Sequence, residues 1–303
     1  MFFLIVAIAY LFFQIKDNVR SLNDFHLFFR KSTLMAILIV FLLQFVNWTV
    51  ETLKFKCLIG LFQKNNFLTL LKAVYVGNFT ALLTPERLGN FLGRAFILRE
   101  EQKRVTLVTI YGNSVQFLVT IIMFLFSMLF LYLNEINILI VYGDNLLFFI
   151  SIAFVSLCVV SLVLFQLKWG NIFNKVKILQ KWLLPFKEID VISFGLKIKV
   201  IFLGLLRFVI FTIQYFILIK AFNINMDFIT TIIFLGFLFG SVTLIPSLIP
   251  GNLGTREAIC AILVGGGVIG LKLSLISFLV WLVNVGISAV FGGFLLLRNN
   301  SKR

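Results

Sequence analysis

Residues 228–263 read FITTIIFLGFLFGSVTLIPSLIPGNLGTREAICAIL. The part before the first proline is uncharged and nearly long enough to cross a bilayer as a helix. Two prolines, two glycines and the pair Arg256-Glu257 then follow between apolar residues. Proline removes a backbone donor and glycine weakens a helix, so the helix breaks at this point. Because broken backbone at membrane depth must be covered by protein or line a water-filled cavity, the stretch predicts an interrupted membrane helix inside the protein.

The composition of the whole chain agrees with this interpretation. Of 303 residues, 61% are hydrophobic and 13% charged, and the mean hydropathy is +1.08. Soluble domains are about half apolar and a quarter charged. Several apolar runs reach membrane-helix length, and none alternates as a membrane strand does. The sequence predicts an all-α, polytopic transmembrane helical bundle of about 7–9 helical segments, with residues 1–303 as a single integral membrane domain.

Apolar runs give the approximate bounds of the helices. The second run carries Asn47, Glu51 and Lys54 at i, i+4 and i+7, which places them on one helical face. The predicted segments are Phe2–Phe13, Thr33 to beyond Trp48, Phe67–Leu83, Val105–Leu133, Leu146–Leu167, Ile198–Phe222, Phe228–Ile245 and Ser274–Leu297.

Charge predicts the orientation. The net charge is +15, but the basic residues cluster in the connections between apolar runs, where they set topology and meet anionic headgroups. Nucleic acid is therefore not expected as a partner. Residues 134–145 contain no Lys or Arg, whereas 168–199 carry seven basic residues against two acids. The second connection and the C-terminus are predicted to face the cytoplasm, in a multi-pass protein of the cell inner membrane.

A short motif occurs twice. Residues 85–89 and 250–254 both read P-x-x-L-G, and Arg94 and Arg256 follow within a few residues. The repetition predicts an internal repeat of two broken or re-entrant helices, in which the positive N-terminal end of each second half-helix suits an anion. The helix-breaking residues are Pro85, Gly89, Pro250, Gly251 and Gly254.

Polar side chains inside apolar spans are candidates for the same site. Arg207 lies about 12 Å along its helix from Lys199, too deep for an interfacial anchor, and Gln214 shares its face. Two interpretations stay open: a headgroup site, or structural pairing of the arginines with Glu51 or Glu257 while amides join helices. The candidates for headgroup binding are Arg256, Glu257, Arg207, Arg94, Arg87, Asn252 and Gln214.

The segments LTPERLGNFLGRAFIL and PGNLGTREAICAIL, with Asn78 ahead of the first, resemble the two signatures of the lysylphosphatidylglycerol synthase transmembrane family, or flippase-like domain. The resemblance implies a polytopic bundle with broken helices that handles lipid headgroups. One departure is Asn90, at a position where the family often has Glu. No aminoacyl-transferase domain follows, so lysyl transfer is not expected. The matching positions are Pro85, Arg87, Gly89 and Arg94, then Pro250, Gly254, Arg256 and Glu257.

The residue inventory points away from an enzyme. The single histidine, His26, lies in a charged segment, and metal-binding spacings and a nucleotide phosphate loop are missing. We expect no catalytic residue, metal or cofactor. The favoured function is a lipid flippase that binds and translocates a phosphate-bearing lipid, either a phospholipid or a lipid-linked precursor. The alternatives are a membrane scaffold that presents lipid to a glycosyltransferase or another cell-envelope enzyme, and an intramembrane transferase.

Overall fold

The computed structural model describes residues 30–84, 88–99, 102–133, 154, 192–245 and 252–300. Apart from turns and short connections, these residues are helical, and they contain no strand. Four helical stretches are long and apolar enough to cross a membrane: Lys31–Ile59, Gln102–Leu131, Phe194–Ala221 and Gly267–Arg298. The prediction of a helical, multi-pass membrane protein is confirmed. The segments predicted at 2–13 and 146–167 lie outside the described residues.

The helices follow the predicted apolar runs, except that the last span begins at Gly267 and not near Ser274. They are α1 (Lys31–Ile59), α2 (Phe67–Leu82), α3 (Gly89–Leu98), α4 (Gln102–Leu133), α5 (Phe194–Ala221), α6 (Phe228–Leu244), α7 (Thr255–Leu263), α8 (Gly267–Trp281), a π-helix (Leu282–Ile287) and α9 (Ser288–Asn300).

Helix lengths repeat along the chain. Helices α1, α2 and α3 have 29, 16 and 10 residues, and α4 has 32. Helices α5, α6 and α7 have 28, 17 and 9 residues, and a continuous helical span of 32 residues follows. The order long, short, shorter, long therefore occurs twice, with one P-x-x-L-G motif before the shortest helix each time. This order supports the internal repeat predicted from the motifs.

The chain divides into two compact units, and each contains one interrupted segment. The Glu51 unit contains α2, α3 and α9, and the Arg256 unit contains α6, α7 and α8. In described residues, the Glu51 unit comprises 47–84, 88–99, 102–119, 192–208 and 288–300. The Arg256 unit comprises 30–46, 120–133, 154, 209–245 and 252–287.

Corresponding helices of the repeat begin in the same way. Asn66 caps α2, because its side chain accepts a hydrogen bond from the Leu68 amide at 3.3 Å. Asp227 caps α6 by accepting from the Thr230 amide at 3.0 Å. Each cap satisfies an amide that the first helical turn leaves unpaired.

Glycines allow helices to pack closely in both halves of the repeat. A Cβ atom at Gly93 would lie 2.2 Å from Thr80 Oγ1, in the contact between α2 and α3. A Cβ atom at Gly240 would lie 2.3 Å from the Phe124 ring. The G-x-x-x-G spacings at 89–93 and 236–240 therefore mark close approach of helices.

Candidate functional site

The first interruption separates α2 from α3. Helix α2 ends at Leu82 and α3 begins at Gly89, while Pro85 and Arg87 lie outside the described residues. The Gly89 amide donates to Thr84 Oγ1 at 2.6 Å, and Thr80 Oγ1 donates to the Gly89 carbonyl at 2.7 Å. These bonds hold the start of α3 against the end of α2. With 10 residues, α3 is about 15 Å long, half of the ~30 Å hydrocarbon core.

Helix α3 brings Arg94 to a carboxylate on α1. Arg94 Nη2 lies 2.9 Å from Glu51 Oε1, and Arg207 Nη1 on α5 lies 2.5 Å from Glu51 Oε2. Lys54 Nζ, one turn beyond Glu51, lies 2.7 Å from Oε2. We call Glu51, Lys54, Arg94 and Arg207 the Glu51 cluster.

Two asparagines and two aromatic rings orient the arginines of this cluster. Arg94 Nε donates to Asn90 Oδ1 and Arg207 Nε donates to Asn47 Oδ1, both at 3.0 Å. The Arg94 guanidinium lies 4.7 Å from the centre of the Phe55 ring, and that of Arg207 lies 5.6 Å from the Trp48 ring. Cation–π contact and hydrogen bonding fix each guanidinium plane.

Charge in the Glu51 cluster is not balanced. Three cations surround one carboxylate, and none of the four side chains is exposed by more than 12%. In the part of the chain that the structure describes, their ion pairs all run through Glu51. Because an isolated charge is costly to bury, the excess of positive charge suits an anionic ligand.

The second interruption lies in the Arg256 unit and is built differently. Pro250 and Gly251 lie outside the described residues, whereas Asn252 and Gly254 both have left-handed backbone, with φ of 56° and 82°. Glycine adopts this conformation without strain, so Gly254 provides a cap from which α7 starts. With 9 residues, α7 is about 14 Å long and is again too short to cross a bilayer.

Arg256 and Glu257 are buried at the start of α7 without pairing with each other. They are 9% and 7% exposed. Glu257 Oε2 accepts from the Gly254 amide at 2.6 Å and so caps its own helix. Arg256 Nε and Glu257 Oε1 have no hydrogen-bond partner among the described residues. The first turn of α7 therefore buries a donor and an acceptor that no described residue satisfies.

Gln214 is held in an amide pair. Asn284, in the π-helix, donates to Gln214 Oε1 at 3.0 Å, and Gln214 Nε2 donates to the Val40 carbonyl at 3.1 Å. These bonds join helices, as amides in membrane proteins commonly do. Headgroup binding by Gln214 stays a prediction.

Comparison with known families agrees with the two motifs. The family described as the lysylphosphatidylglycerol synthase TM region matches residues 2–292. The chain belongs to this family. Neither a curated protein nor a solved structure matches the chain significantly.

The structure brings the two signatures of the lysylphosphatidylglycerol synthase TM region family to different surroundings. Arg94 of the first signature joins the Glu51 cluster, and Arg207 joins it from α5. Arg256 and Glu257 of the second lie in the first turn of α7. At the family's frequent glutamate position, Asn90 accepts a hydrogen bond from Arg94 instead.

Lys54 and Asn90 were not predicted as site residues, and Glu51 was considered only as a structural partner. The spacing of Asn47, Glu51 and Lys54 on one helical face was the available signal, because charged side chains within a span rarely face lipid. Among the described residues, no group of His, Cys, Asp and Glu side chains is arranged to hold a metal ion.

Proposed function

We propose that this protein is a flippase-like protein of the inner membrane that binds and translocates a phosphate-bearing lipid. The observation that carries the proposal is the Glu51 cluster, in which three buried cations share one carboxylate. The headgroup phosphate binds at these cations, while the acyl or prenyl chains stay in the bilayer.

Arginine suits this task. Its guanidinium stays charged in every environment and binds phosphate through two parallel hydrogen bonds. Arg94 and Arg207 come from different helices and converge on the same carboxylate, with their planes fixed by Asn90 and Asn47. Preorganised donors lower the cost of ordering that binding otherwise incurs.

The Arg256 unit offers a separate candidate contact for a headgroup. Arg256 carries a buried donor that no described residue satisfies, and Glu257 carries a buried acceptor of the same kind. A headgroup with an anionic and a donor group would satisfy both. Transport is downhill or coupled to a gradient in this proposal, because the sequence has no nucleotide-binding loop. The C-terminus faces the cytoplasm.

A flipping assay on purified protein tests the proposal. The test variant is Arg94→Gln with Arg207→Gln, which leaves Glu51 and Lys54 as a neutral pair. The control is Arg298→Gln, the same change at an exposed position on α9. Native mass spectrometry measures retained phosphatidylglycerol, and a fluorescent phosphatidylglycerol in vesicles measures movement between leaflets.

We expect wild type and the Arg298→Gln control to retain and move the lipid, and the double variant to lose both. Normal retention and movement by a folded double variant would contradict the proposal. Retention without movement by the wild type would favour the scaffold alternative, in which the protein presents lipid to a cell-envelope enzyme.

A further inference from the structure

We propose that the Glu51 cluster selects lipids whose headgroup carries about two negative charges, a phosphomonoester or a diphosphate, over phosphodiester lipids with one. This inference rests on the proposed function and specifies its substrate class.

The charge count of the cluster is the first step. Lys54, Arg94 and Arg207 contribute three positive charges at pH 7 and Glu51 one negative charge, so the excess is two. The polar neighbours Asn90 and Asn47 are neutral. Among the described residues, no other carboxylate lies within ion-pair distance of these cations.

The second step is the number of donors that the protein leaves unused. In the described part of the chain, Arg94 donates to Glu51 and Asn90, and Arg207 donates to Glu51 and Asn47. A guanidinium has more N–H groups than these bonds require. Among the described residues, Lys54 Nζ forms an ion pair with Glu51 alone. The cluster therefore has spare donors from three side chains, which match the several oxygens of a terminal phosphate.

The third step is burial. Glu51, Lys54 and Arg94 are at most 4% exposed, so water screens their charges weakly. A monoanion leaves one uncompensated positive charge in this environment, and a dianion leaves none. Arg207, at 12% exposure, is the most accessible member and gives the phosphate its first contact.

The two asparagines allow the charge to be changed with little change in shape. Asn90→Asp and Asn47→Asp each replace an amide oxygen that already accepts from an arginine Nε at 3.0 Å. Each single variant lowers the excess from two to one, and the double variant lowers it to zero. The matched control is Asn65→Asp, which adds the same charge in the connection between α1 and α2.

The measurement is a titration at about pH 7, where a phosphomonoester already carries most of its second charge, followed by native mass spectrometry. The probes are dioleoylphosphatidate and a prenyl monophosphate, both phosphomonoesters, and dioleoylphosphatidylglycerol, a phosphodiester with the same acyl chains as the first. Inorganic phosphate is the competitor that separates recognition of the headgroup alone from recognition of the lipid. A thermal unfolding curve for each variant checks that the variant is folded.

We expect wild type and Asn65→Asp to bind both phosphomonoesters about tenfold or more tightly than phosphatidylglycerol, the scale of one charge-assisted hydrogen bond. The preference should shrink in each single variant and vanish in the double variant. Equal binding of the three lipids by wild type, or an unchanged preference in the folded double variant, would overturn the inference while the proposed function stands. Binding of none of the lipids by wild type would overturn both.

Discussion

The arginines of the two motifs stand in different environments. Arg94 lies more than a turn into α3 and reaches Glu51, a residue 43 positions earlier on α1. Arg256 lies in the first turn of α7, next in sequence to a glutamate with which it forms no ion pair. Arg94, with no acid in its own helix, is paired with Glu51. Arg256, beside an acid, forms no ion pair with any described residue.

Helix geometry explains this difference. Neighbouring residues on a helix point about 100° apart and do not face each other, whereas residues three or four apart do. Glu257 instead folds back over the start of α7 to cap Gly254. The charges of the Glu51 unit therefore form a network of ion pairs. In the Arg256 unit, a buried donor and a buried acceptor have no partner among the described residues.

The largest expected effect is a difference in stability between variants of Glu51 and of Glu257. Glu51→Gln removes the single acid of the cluster and leaves three buried cations, which should cost about 3–5 kcal/mol of stability. Glu257→Gln keeps a cap acceptor and loses mainly the interaction with the helix dipole, about 0.3–1 kcal/mol. Thermal unfolding in detergent measures both, and similar shifts for the two variants would contradict the comparison.

Arg256→Lys tests the open donor of the Arg256 unit. The lysine keeps the charge and loses the planar fork, so lipid retention should fall roughly tenfold or more, corresponding to about 1.5–3 kcal/mol. Thermal stability should change little because Arg256 Nε bonds no described residue. The double variant Arg256→Gln with Glu257→Gln is the control: if it moves lipid normally, Arg256 is structural.

The two glycines that begin the half-helices should respond differently to alanine. A Cβ at Gly89 would lie 2.1 Å from the Thr80 carbonyl oxygen. Gly89→Ala should therefore force α2 and α3 apart and lower the free energy of unfolding by about 1–3 kcal/mol. Gly254 has open space around it but a φ of 82°, so Gly254→Ala should cost about 1–2 kcal/mol in backbone strain. Gly89→Ala should also weaken lipid retention, because α3 carries Arg94. If a destabilised Gly89→Ala variant binds lipid as wild type does, Arg94 does not contribute to the binding site.

The smallest expected effect is a pH dependence confined to one of the two helix caps. Hydrogen bonds from Thr230 hold the pKa of the Asp227 carboxyl below its usual value. The cap therefore contributes stability above that usual value, about pH 4, and loses it as the pH falls through the folded pKa. The two test conditions, roughly pH 6 and roughly pH 3, lie on either side of the usual aspartate pKa. On going from the first to the second, wild type should lose more thermal stability than Asp227→Asn. Asn66→Ala should lower stability equally at both pH values, since Asn66 does not titrate.

Much of the fold could be predicted from hydropathy, because membrane helices need long apolar runs. The expected span Phe228–Ile245 corresponds to α6, Phe228–Leu244. The last span begins at Gly267 and not near Ser274, since Gly265, Gly266 and Gly267 take positive φ values and let a new helix start there. Left-handed backbone at successive glycines is not visible in a hydropathy pattern.

The site could be predicted only in part. Arg207 stood out because charge inside a span is costly. Arg94 stood out because it follows the first P-x-x-L-G motif. Their common partner Glu51 is 43 and 156 positions away in the chain, and no local pattern encodes such a contact. The sequence places Lys54 on the same helical face as Glu51. Its role in the cluster depends on the two arginines, which only the folded structure places beside Glu51.

The pair formed by Glu51 and Lys54 has a consequence for biogenesis. A chain is synthesised from its N-terminus, so α1 enters the bilayer before Arg94 and Arg207 exist. A lone charge near the middle of a helix raises the cost of insertion by about 2.5–3.5 kcal/mol. Because Lys54 lies 2.7 Å from Glu51 on the same helix, α1 brings its own counter-charge into the membrane. The carboxylate that pairs with two arginines in the folded protein thus has a counter-charge on its own helix, which should lower the cost of inserting α1.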